Sequence, residues 1–67
     1  MQQSETSEEL RALYIQRADR NRGTAERCLI IAGFARREGD TAKADELLEK
    51  VRILRAAARV WRRKARR

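Results

Sequence analysis

From Ala44 onward the apolar residues recur at steps of three and four: Ala44, Leu47, Val51, Leu54, Ala58, Trp61 and Ala65. That alternation is the seam of a helix packed on other helices, and Leu48 widens it. The spacing predicts a helix over residues 41–65. Upstream the apolar pattern is broader. The stretch Cys28-Leu29-Ile30-Ile31-Ala32-Gly33-Phe34-Ala35 is apolar almost without a break. At about 100° per residue, Ala25, Cys28, Leu29, Ile31, Ala32 and Ala35 fill one wide arc, as expected of a middle helix touching two neighbours. Ile30 and Phe34 fall outside that arc, one turn apart. Nearer the start, Leu10, Tyr14 and Ala18 share a core-facing side, with Leu13 and Ile15 on its flanks.

Breaks between these segments carry turn chemistry. Asn21-Arg22-Gly23-Thr24 offers a glycine just past a helix end and a threonine to cap the next start. Glu38-Gly39-Asp40-Thr41 repeats the device, with Asp40 or Thr41 as the cap. Thr6-Ser7-Glu8-Glu9 matches a capping box, a hydroxyl followed three residues later by a carboxylate. The predicted helices therefore run about 7–22, 25–37 and 41–65. Short connections make neighbours antiparallel. The expected fold is all-α: residues 1–67 as a single up-down-up antiparallel three-helix bundle.

Composition fits a helical chain and narrows its chemistry. Proline and histidine are absent, and there is a single cysteine. No intrachain disulfide can form, and Cys28 alone cannot hold zinc. No histidine is present as a general base, no partner of that kind activates Cys28, and no glycine-rich phosphate loop occurs. The acidic residues cluster at helix starts, where they act as caps. The chain is expected to be no enzyme, to need no cofactor or metal, and to use Cys28 as a small core residue. No apolar run approaches the ~18 residues of a membrane span, and Met1–Glu9 has no basic start leading into an apolar signal core. A soluble, cytoplasmic, monomeric chain is the expectation.

Charge points to a partner. Seventeen basic residues against ten acidic ones give a net charge of +7. Most of the basic residues are arginine, whose planar fork binds carboxylates and phosphates in two-pronged geometry. Apolar residues are also in surplus. Ile53, Ala57 and Val60 form a second stripe away from the Leu47/Leu54/Trp61 seam, and Ile30 with Phe34 forms a similar pair. Such a stripe either marks a binding face or packs against the first helix, and a binding face is the expectation. Arg27, Arg37, Arg52, Arg59 and Arg63 lie around them as a polar rim. These ten residues are the candidate partner-binding site, suited to a protein target with an acidic or mixed surface.

The C-terminal Val60-Trp61-Arg62-Arg63-Lys64-Ala65-Arg66-Arg67 admits several readings. A basic end complements the helix macrodipole. It also serves as a rim toward an acidic protein, as a phosphate-contacting cluster for RNA or DNA, or as a membrane-surface or calmodulin-type amphipathic helix. A nucleic-acid-binding module is the alternative function. Against it, Trp61 sits on the core seam and is not free to stack on a base.

Two resemblances follow from these residues. Residues 28–54, CLIIAGFARREGDTAKADELLEKVRIL, resemble one tetratricopeptide-type helical hairpin, with Gly39-Asp40 at its turn and Ala44, Leu48 and Val51 at packing positions. One hairpin lacks the repeat array on which that family's peptide groove depends. The whole chain resembles a de novo designed three-helix miniprotein binder, through its REGDTAKADELLEKV turn and helix, explicit caps, minimal loops and surplus apolar faces. That resemblance implies a function of pure affinity, with exposed Ile, Phe and Val as anchors and arginines answering target carboxylates.

Overall fold

A computed structural model describes the backbone of residues 2–66 and the side chains of residues 7–66. Over these residues the chain forms two helices, α1 (Gln2–Arg37) and α2 (Thr41–Arg66), joined by Glu38-Gly39-Asp40. They lie antiparallel. Tyr14, early in α1, stacks on Trp61 late in α2, and Asp19 faces Arg62 at 3.8 Å.

The fold is thus a helical hairpin, and the expected three-helix bundle is overturned. The two helices expected at 7–22 and 25–37 are one. Nothing breaks at Gly23: it is helical, and the one glycine with positive φ is Gly39. Thr24 does not cap a new start, since its Oγ1 donates to the carbonyl of Arg20 one turn back, at 3.1 Å. The reason is the phase of the small residues. Tyr14, Ala18, Asn21, Ala25, Cys28, Ala32 and Ala35 step by four and three across the supposed loop without interruption, and all are buried or half-buried. A glycine inside a helix costs about 1 kcal/mol relative to alanine. Continuous packing against α2 offsets that. The helix is also already under way at Gln2, so Thr6 and Ser7 lie within α1 rather than at its start.

The second predicted turn is present. The Gly39 backbone takes φ +82°, its N–H donates to the carbonyl of Arg36 at 3.1 Å, and the Asp40 N–H donates to that of Ala35 at 2.8 Å. This crossed pair of bonds satisfies two orphan carbonyls of α1. Asp40 then caps α2, its carboxylate accepting from the Lys43 N–H at 3.1 Å.

Between the helices the buried residues are mostly small: Ala18, Ala25, Ala32 and Ala35 from α1, Ala44, Ala58 and Ala65 from α2, with only Leu47 and Val51 larger. Ala18, Ala25 and Ala32 recur every seven residues, as do Ala44, Val51, Ala58 and Ala65. Small side chains at such positions bring helix axes to the near end of the usual packing distance. Every seam position expected for α2 is buried or half-buried. In α1 the expectation was too generous. Ile31 is half exposed because one neighbour covers a narrower arc than two would. Leu10, expected in the core, is 42% exposed. At about 1.5 Å per residue α1 outruns α2 by roughly 15 Å, so little of α2 remains to cover Leu10.

The hairpin is a rod of 57 × 13 × 11 Å with a radius of gyration of 16.0 Å. A compact chain of this length would have a radius of roughly 11 Å. Its accessible surface is 5651 Å², against about 4,400 Å² for a compact monomer of the same mass.

Candidate functional site

With alanines inside, the larger apolar side chains face out. Ile30 (62% exposed), Phe34 (57%), Ile53 (56%) and Val60 (48%) all project into solvent, joined by Ile31, Ile15, Leu13 and Leu10. Ala57 is half-buried between Ile53 and Val60 on the flank of α2. Arg27, Arg37, Arg52, Arg59 and Arg63 are exposed. Arg37 lies over the Phe34 ring, 5.8 Å from its centroid, so one expected rim residue does sit beside its anchor.

These ten residues do not converge on one compact patch. Val60 adjoins Trp61, opposite Tyr14, whereas Phe34 lies near the turn. The separation is on the order of 25 Å along the axis. Any surface combining them is elongated, the size of a helix lying along the rod. Two of the rim residues also belong elsewhere. Arg52 and Arg59 line an open groove on the other flank of α2, which contains none of Ile30, Phe34, Ile53 or Val60.

That groove was not anticipated from sequence. Its floor is apolar: Leu29 of α1 with Leu48, Val51 and Ala58 of α2. Along one wall run Arg52, Arg55, Arg59 and Arg62, at steps of three and four that place them on one side of α2. Arg22 stands on the α1 side. No aromatic or acidic side chain lines it. Arg52 is held in a two-pronged pair with Glu49, its Nε donating at 3.2 Å and its Nη2 to the other oxygen. That bond holds the Glu49 carboxyl below its ordinary pKa and raises Arg52 above its own. Arg62 faces Asp19. Arg22, Arg55 and Arg59 enter none of the ion pairs among the described residues. The sequence held a signal for the groove in the 52-55-59-62 spacing, but its second wall exists only because α1 is continuous.

The basic C-terminal stretch divides accordingly. Trp61 is half-buried and stacked on Tyr14, with Arg17 and Lys64 each 4.9 Å from the centre of its ring. The ring is thus engaged by three side chains of the chain itself. Ala65 is buried in the seam, and Arg63 and Arg66 are exposed; Arg67 lies outside the described residues. Cys28 is half-buried on the seam, without a disulfide. Among the described residues no group of three or more His, Cys, Asp or Glu side chains is arranged to hold a metal ion, and no helix is long and apolar enough to cross a membrane.

No protein-family model, curated protein or solved structure matches the chain.

Proposed function

We propose that the chain is a non-enzymatic protein-binding hairpin that docks its outward apolar residues, edged by arginines, onto an acidic-rimmed surface of another protein. The observation that carries this reading is the inversion of side-chain size: the inter-helix seam is built mainly from alanine, while eight large apolar side chains face solvent. Burying a leucine- or phenylalanine-sized side chain is worth about 1.5–3 kcal/mol. A chain that leaves Ile30, Phe34, Ile53 and Val60 outside forgoes that gain in its own core, and a partner surface recovers it. Ile30 and Phe34 anchor one end, Ile53 and Val60 the other, and Arg27, Arg37 and Arg63 answer carboxylates at the edges. The resemblance to miniprotein binders points the same way.

The test compares the full chain with Phe34→Glu and Ile53→Glu variants, each immobilised against soluble protein extract. A partner retained by the unmodified chain is then purified and its affinity measured by calorimetry. The expected result is tight binding that either variant abolishes, with far-UV circular dichroism and melting unchanged. Partner binding indifferent to both substitutions, or loss of helicity in the variants, would overturn the site. Sedimentation at several concentrations separates this outcome from self-association through the same stripes.

A further inference from the structure

We infer that the arginine-walled groove between α1 and α2 is a second docking surface, built to receive an acidic amphipathic helix from another protein as the third helix of a bundle. It lies on the other flank of the seam from Ile53 and Val60, and does not rest on the function proposed for them.

The groove's shape favours a helix. Its floor, from Leu29 and Leu48 through Val51 to Ala58, runs along the hairpin axis. Two antiparallel helices leave such a furrow on each side, and the residues that fill it in a bundle recur at steps of three and four on the incoming helix. Arg52 and Arg62 are ten positions apart on α2, or about 15 Å of rise. A helix lying alongside would present carboxylates at matching steps, with its apolar stripe turned toward the floor.

Its charge favours carboxylates on that helix. Five guanidinium groups line the groove and no acidic group does. Arg22, on the α1 wall, and Arg55 and Arg59, on the α2 wall, lack carboxylate partners among the described residues. Arginine forks match carboxylate geometry, and pairs at the edge of an apolar contact fix register and suppress wrong partners. Nucleic acid fits less well. A phosphate chain would answer the arginines but leave the half-buried Leu29 and Leu48 uncovered, and no aromatic ring lines the groove for a base to stack on.

The probe is a labelled synthetic helix of about three heptads, with leucine at the two seam positions of each heptad and glutamate on both flanks. Its binding to the full chain is followed by fluorescence anisotropy near physiological salt. The expected dissociation constant is on the order of micromolar or tighter. The exposed pair Arg55→Glu/Arg59→Glu weakens it at least about tenfold, as does Arg22→Glu from the opposite wall, while Phe34→Glu leaves it unchanged. Circular dichroism of the arginine variants should match that of the parent chain. Two controls carry the same net charge: a glutamate helix with serine replacing leucine, and a single-stranded RNA. Equal or tighter binding of either control would overturn the inference in favour of generic charge attraction or a nucleic-acid site. So would leucine–glutamate binding that ignores the arginine reversals. Failure at Phe34 or Ile53 in the earlier test leaves this result independent, because those side chains do not line the groove.

Discussion

The rings of Tyr14 and Trp61 stack with centroids 5.5 Å apart and planes 24° from parallel, joining the two helices near the open end of the hairpin. They are the only tyrosine and the only tryptophan in the chain. Alanines fill much of the remaining seam, and this pair pins the register opposite the turn. Trp61→Ala should destabilise the hairpin by about 2 kcal/mol, less than a fully buried tryptophan because the residue is only partly buried. Tyr14→Ala should cost about 1–2 kcal/mol, and the double variant should fall short of the sum by about 1 kcal/mol, the coupling of the stack. Urea denaturation followed by circular dichroism measures all three. Strict additivity would show that the rings stabilise separately.

The three glycines should respond with opposite signs. An added Cβ at Gly23 or Gly33 meets nothing within 4 Å, and neither has positive φ. Gly23→Ala and Gly33→Ala should each stabilise by about 0.5–1 kcal/mol, removing a helix-interior penalty and some freedom of the unfolded chain. Gly39 also has open space, but at φ +82° any L side chain is strained. Gly39→Ala should cost about 1–2 kcal/mol. Thermal melts of the three variants decide the matter. A loss at Gly23 comparable to that at Gly39 would contradict a helical backbone at residue 23.

Close packing makes the alanine seam intolerant of size. Ala18 and Ala25 are 0% and 1% exposed. Enlarging either to leucine should destabilise by about 1–3 kcal/mol through forced separation of the helices. Ala56→Leu, at an exposed position on α2, should stay within about 0.5 kcal/mol. Equal tolerance at all three sites in a denaturation series would mean the helices are not held as close as their seam implies.

Much of α2 was legible because its seam mixes leucine, valine and tryptophan with alanine, and such residues announce a face. The turn at Gly39 was legible for a different reason: glycine supplies the positive φ there and Asp40 the cap. Gly23 and Thr24 carry the same letters without the same conformation, since sequence displays residue type and not φ. The evidence against a break was present in Ala18, Ala25 and Ala32 at heptad spacing, but alanine is a quiet marker of burial. The exposed anchors Ile30, Phe34, Ile53 and Val60 could be picked out one helix at a time. The groove could not. Arg22 and Leu29 meet Arg55 and Leu48 only once α1 runs straight through residue 23. Arg52 and Arg59 were therefore grouped with Ile53 and Val60, their neighbours in sequence, rather than with the flank they occupy.

The turn at Glu38-Gly39-Asp40 also sorts charge in space. Residues 22–53, the half of the hairpin around that turn, carry seven basic and six acidic side chains. Nearly all of the net charge of +7 therefore belongs to the other half, where the early part of α1 lies beside the late part of α2. The rod is electrically lopsided along its 57 Å length. An acidic surface would draw it in open end first, with the neutral turn trailing, and the rate of encounter would fall as salt screens that pull.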